Sequence, residues 1–127
     1  MPTIFEKIVA GEIPCHKIWE DDEHLAFLDI NPWVEGHTLV IPRHPWPEIF
    51  SMESEAYHRL WDAARTVARQ LQERTGCARV LSIVIGYEVP HVHIHLLPTN
   101  SLGDIPLPAV NTEAQGRLAE TAARLRA

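Results

Sequence analysis

The sequence predicts an α+β domain in which a long central helix and shorter flanking helices pack on an antiparallel sheet of about five strands. Three observations lead there. Five short apolar or β-branched runs are bounded by turn residues; one segment of 22 residues carries helical periodicity throughout; and the order is helix, three strands, long helix, two strands, helix, without the regular alternation of a parallel sheet.

The first element is "TIFEKIVAGE". Thr3 and Glu6 stand at capping-box spacing, Phe5, Ile8 and Val9 share one face, and Gly11 closes a short helix. "HKIWE" and "HLAFLDI" then alternate as strands, with Asp21 and Asp22 supplying a turn, so a hairpin is expected. "NPWVEG" is a loop carrying Pro32 and Gly36, and "HTLVIP" is a β-branched strand stopped by Pro42. After "PRHPWPEIF", residues 54–75 place Tyr57, Leu60, Trp61, Ala64, Val67, Ala68 and Leu71 on one stripe, and Gly76 is a C-terminal stop. "ARVLSIVIG" and "HVHIHLLP" follow as strands joined by "YEVP". The tail "TEAQGRLAETAARLRA" has Thr112 and Gln115 at capping-box spacing, with Leu118, Ala122 and Leu125 on one side, and predicts a last helix. The pattern leaves open which sheet face the long helix covers.

At 127 residues the chain is expected to form one domain over residues 1–127, with no internal repeat. Charged residues make up 22% and hydrophobic ones 46%, as in ordinary globular proteins. The net charge of −6, with Lys and Arg dispersed, offers no footprint for a polynucleotide or an anionic membrane. No apolar run is long enough to span a bilayer and the N-terminus lacks a secretory pattern, so a cytoplasmic location is expected. Cys15 and Cys77 are isolated and read as reduced, packed thiols.

Chemistry concentrates in "VPHVHIHLLP". On a strand, His91, His93 and His95 share one face, while Val92, Ile94 and Leu96 share the other and belong to the core. One metal held by all three rings would need severe bending, because the backbones of the outer pair lie about 13 Å apart on an extended strand. A two-histidine metal site completed by His37 or an acid stays open. A neutral imidazole is also a competent nucleophile when one ring nitrogen is fixed as a donor, and flanking imidazoles can donate to a phosphoryl group.

These residues resemble the histidine triad (HIT) superfamily. The resemblance rests on "HVHIHLL", on "AFLDINPWVEGHTLVIPRHP" with its aspartate, proline and histidine leading into an apolar strand, and on the opening "IFEKIVAGEIPCHKIWEDD". It spans most of residues 3–100 and implies a HIT-like fold and a nucleotidyl hydrolase acting at the α-phosphate of purine nucleotide phosphoramidates or phosphoesters. By that resemblance His93 is the nucleophile, His95 contacts the phosphoryl oxygens or leaving group, and His91 and His37 orient the central ring. Asp29 would accept from the ribose hydroxyls, and Phe5, Ile8, Phe27, Ile30 and Leu39 would enclose the base. The family's N-terminal zinc-binding cysteines have no counterpart in "TIFEKI", so neither a structural metal nor a cofactor is expected. A homodimer is implied, and Trp61 and Tyr57 on the long helix suit its interface.

The segment "SIVIGYEVPH" is shorter than in many family members and resembles a bacterial branch carrying "EVPHxHxH"; Tyr87 and Glu88 stand where polar phosphate-side groups are usual. Three alternatives follow: a nucleotide-binding regulatory module with little turnover, a dinucleoside polyphosphate hydrolase, or a metal-dependent hydrolase.

Overall fold

A computed structural model describes residues 2–126. Helix α1, Ile4–Val9, begins at Thr3, whose side chain accepts the Glu6 amide while the Glu6 carboxylate accepts the Thr3 amide. Strands β1 (Lys17–Glu20) and β2 (His24–Leu28) form the expected hairpin. Its turn is closed by Asp21, whose Oδ1 accepts the amides of Glu23 at 2.9 Å and His24 at 2.7 Å. β3 covers Thr38–Pro42, α2 covers Ser54–Thr75, β4 covers Arg79–Ile83 and β5 covers Ile94–Thr99. The five strands lie in the order β1-β2-β3-β5-β4, every neighbouring pair antiparallel.

Strand alternation divides the sheet into two faces. Ala26, Val40, Ile94 and Leu96 meet α2 through Leu60, Ala64, Val67 and Leu71. Each fully buried aliphatic side chain there contributes about 1.5–3 kcal/mol. The opposite face carries Leu25, Phe27, Leu39 and Ile41 and is packed by Phe5 of α1, with Ile8 and Val9 beside it. The long helix therefore takes one face and α1 the other, which the sequence pattern alone left open. Gly76 ends α2 at φ 70°, the left-handed conformation that glycine adopts without a Cβ penalty. Gly36, at φ 87°, turns the chain two residues before β3, and a Cβ placed there would lie 3.1 Å from Pro98 Cγ.

Two expectations are corrected. β5 starts at Ile94, so His91, Val92 and His93 precede the ladder instead of belonging to it. The reason is local: the Val92 amide donates to the Trp46 carbonyl and the His91 amide to the Val89 carbonyl, which diverts this segment from pairing with β3. The tail is not one helix but α3 (Thr112–Gln115) and α4 (Leu118–Leu125), and the cap is Asn111, whose Oδ1 accepts the Ala114 amide. Gly116 and Arg117 interrupt it, and Leu118 and Leu125 stay exposed because no core faces them. Among the described residues no helix is long and apolar enough to cross a membrane.

Candidate functional site

All three triad histidines and His37 are buried. The alternation survives the late start of β5: Val92, Ile94 and Leu96 enter the α2 core, while His93 and His95 line clefts on the other side. β3 and β5 bring the site together, since Leu39 pairs with His95 and His37 lies one residue before β3.

The partners of each ring assign its protons. His93 Nδ1 lies 2.7 Å from the His91 carbonyl, which can only accept, so Nδ1 carries the hydrogen and Nε2 keeps the free lone pair. His91 Nε2 donates to the Pro42 carbonyl at 2.8 Å, leaving Nδ1 to accept from the Thr3 hydroxyl at 3.2 Å. The Trp33 amide donates to His37 Nδ1 at 3.1 Å, so His37 holds its hydrogen on Nε2. That nitrogen donates to His95 Nδ1 at 2.9 Å, with Asp29 Oδ2 3.5 Å away on the same side. His95 is thereby left with a hydrogen on Nε2. The central ring thus offers a lone pair and its neighbour a donor.

Burial favours the neutral state of His37, His91 and His95. It pushes the His37 and His91 pKa values below the ordinary histidine range, against the opposing pull of Asp29 and of the Pro42 carbonyl respectively. His95 is pushed from 6.5 to about 4, by desolvation first and then by the neighbouring His93 and His37.

Asp29, Phe5, Ile8, Phe27, Ile30 and Leu39 all line one cavity of about 310 Å³, and His93 and His95 form its inner end. Ile30 sits at its lip, 79% exposed, whereas Phe5, Phe27 and Leu39 form the buried wall. Phe5 meets the His93 ring edge-on with centroids 4.8 Å apart. A second cavity of about 570 Å³ adjoins the first, sharing Asp29, Asn31, Glu88, His93 and His95 with it and adding Trp33, Ile85, Gly86 and Tyr87. Asp29 and Glu88 are the charged residues lining these two cavities; neither Lys nor Arg lines them. Two adjoining cavities that share a pair of imidazoles offer room for a ligand of two parts.

Asp29, His37 and His95 are the group among the described residues that brings three ligand atoms within 4.8 Å of one another. His37 Nε2 and His95 Nδ1 are donor and acceptor of one hydrogen bond at 2.9 Å, which accounts for the approach of these two rings without an ion. His93, on the lone-pair side, lies outside that group.

Trp33 carries no periodic or motif signal in the sequence. Its ring stacks on His95 with centroids 5.5 Å apart and planes 7° apart, and its amide fixes the His37 tautomer. The available signal was its position four residues before His37 in a loop that had to fold back over that ring.

The HIT domain family model matches residues 10–102. An uncharacterised HIT-like protein of Borreliella burgdorferi is 36% identical over 102 residues, covering 75% of this chain and 73% of its own. A HIT family protein of Bacillus subtilis has the same architecture, with a TM-score of 0.79 at 28% identity over 100% of this chain and 99% of its own. A histidine triad nucleotide-binding protein of Candida albicans gives a TM-score of 0.66 at 26% identity, over 97% of this chain and 96% of its own.

Proposed function

The chain belongs to the HIT domain family, and we propose that it binds a purine nucleotide and hydrolyses it at the α-phosphorus through a nucleotidyl-His93 intermediate. The observation that carries the proposal is the His93 Nδ1 contact with the His91 carbonyl at 2.7 Å, which reserves Nε2 as a lone pair where the two cavities meet. A relative named as a nucleotide-binding histidine triad protein supports the ligand class.

The base occupies the apolar wall of Phe5, Ile8, Phe27, Ile30 and Leu39, and the Asp29 carboxylate accepts from the ribose hydroxyls. His93 Nε2 attacks phosphorus, and the bond to the leaving atom breaks with its electron pair. The leaving atom takes a proton from water in the open cleft. His95, a neutral ring with its donor on Nε2, hydrogen-bonds a phosphoryl oxygen as negative charge gathers there. Water then attacks phosphorus, the P–N bond returns its pair to Nε2, and one proton is released in place of the one consumed.

Among leaving groups the cleft favours an amine. A polyphosphate would bring further negative charges into a cavity whose charged lining is Asp29 and Glu88. A phosphoramidate releases an amine that Glu88 and the exposed aromatic ring of Tyr87 accommodate.

A homodimer belongs to the same proposal. β4 is a sheet edge, and Phe50 and Tyr87 are exposed beside a cavity of about 340 Å³ lined by Trp61 and Ile85. Among the described residues the buried Trp61 indole nitrogen has no hydrogen-bond partner. Tyr57 and Trp61 are both partly buried and pack against the core cluster. Light scattering across a concentration series tests the assembly: a monomer throughout removes it.

The enzymatic test mixes the protein with adenosine 5′-phosphoramidate and follows AMP release together with intact mass. One nucleotidyl adduct, absent from His93→Ala while AMP still binds, is expected. Undiminished turnover by His93→Ala refutes the assignment, and AMP binding without turnover by the wild-type protein leaves a binding module.

A further inference from the structure

Helix α1 touches the triad through its cap as well as through its apolar face. The Thr3 hydroxyl accepts the Glu6 amide at 3.1 Å, which orients its single hydrogen away from the helix and toward His91 Nδ1, 3.2 Å away. His91 is fully buried, and its other nitrogen is already spent on the Pro42 carbonyl. Its own backbone carbonyl is the group that holds His93 Nδ1–H. Two residues after Thr3, Phe5 packs edge-on against both rings, with centroids 5.7 Å from His91 and 4.8 Å from His93.

We propose that Thr3 is a positioning residue for His93: the N-cap hydroxyl of α1 fixes the tautomer and seat of His91, whose carbonyl in turn aims the attacking ring. The inference rests on the assignment of His93 as nucleophile. The geometry gives one hydroxyl two tasks with one consistent set of protons. It accepts from the helix, donates to His91 Nδ1, and so leaves the His91 hydrogen on Nε2, where Pro42 requires it. Were Nδ1 to carry a hydrogen as well, His91 would become a cation in a fully buried seat beside His93. The charged and titratable groups around it are Glu6 from α1, His93 from its own segment and His44 from the loop after β3.

The two tasks separate by substitution. Thr3→Ser keeps both. Thr3→Asp is a good helix cap but offers His91 Nδ1 an acceptor instead of a donor, and Thr3→Val removes both functions at similar volume. Thermal melts report the cap, and ¹⁵N signals of the imidazoles report tautomer and position. With adenosine 5′-phosphoramidate, Thr3→Asp is expected to melt near the wild type, to move the ring signals of His91 and His93, and to lower kcat by about three- to tenfold with KM within about twofold, the loss of one aligned hydrogen bond. Thr3→Ser should match the wild type in all three. A Thr3→Asp protein with wild-type ring signals and kcat overturns the proposal, as does a Thr3→Val protein whose only change is a lower melting temperature. The His93→Ala measurement reads the nucleophile assignment separately. The ring signals need no turnover, so failure of the assignment and failure of the Thr3 coupling give different results.

Discussion

Acidification should destabilise this protein in a way that one histidine makes measurable. In the folded chain His95 is 8% exposed, carries its hydrogen on Nε2, and accepts from His37 at Nδ1, so its neutral form is the one the fold accommodates. Its pKa is lowered from 6.5 to about 4. Above pH 6.5 the ring is neutral both folded and unfolded and contributes no pH dependence. As pH falls below that value the unfolded chain takes up a proton that the folded chain refuses, and stability drops by about 1.4 kcal/mol per pH unit. The drop ends near pH 4, where the folded ring also protonates, for a total of about 3 kcal/mol. His37 and His91 are shifted in the same direction and add to it. Asp21 and Asp104, held below their ordinary range, lose their own stabilisation on acidification as well. A comparison isolates the His95 share: His95→Asn keeps an acceptor, Oδ1, for the His37 hydrogen and does not titrate. Urea unfolding followed by the fluorescence of the four tryptophans, at a series of pH values, gives both curves. The wild type should lose about 3 kcal/mol more than the variant between neutral pH and about pH 4. Parallel curves would refute the argument that the site holds His95 neutral.

Two further substitutions probe the frame of the site. Gly36→Ala places a Cβ at φ 87° and 3.1 Å from Pro98 Cγ, so a stability loss of about 1–2 kcal/mol and a fall in melting temperature of about 4 °C or more are expected by calorimetry. An unchanged melt would show that this turn relaxes freely. Trp33→Ala removes the ring stacked on His95 but leaves the amide that fixes His37, so kcat for the phosphoramidate should fall by about two- to tenfold. Because Trp33 does not line the smaller cavity, AMP affinity measured by calorimetry should stay unchanged; a parallel loss of affinity would assign it to the base side instead.

What the sequence made legible were the features set by period and spacing. The 22-residue stripe forms α2 with its limits at Ser54 and Thr75, because a strong apolar face and a glycine stop agree. The division of Val92, Ile94 and Leu96 from the three histidines follows from alternation, even though the ladder starts late. All six residues expected around a nucleoside line one cavity, since they sit on α1, β2, β3 and the loop after β2, which the hairpin and the antiparallel sheet gather together. Contacts between distant segments were not legible. Thr3 and His91 are 88 positions apart, and nothing in a capping box announces a second partner for its hydroxyl. The Trp33 stack depends on how a proline-containing loop folds back, which no periodicity encodes. In the tail, Asn111 took the cap from Thr112, and Gly116 with Arg117 split a segment that its apolar spacing reads as continuous.

The line of hydrogen bonds from the Trp33 amide through His37 to His95 runs in one direction only. Its first member is a peptide N–H, which gives up its hydrogen to no ordinary base, so the line is closed at the buried end. Under the proposed hydrolysis, this line brings no proton to His95 from the Trp33 end. The proposed reaction would then exchange its protons through the cleft, on water or on the substrate itself. In that reaction the site would act as a fixed electrostatic template, with the open cavity governing proton transfer.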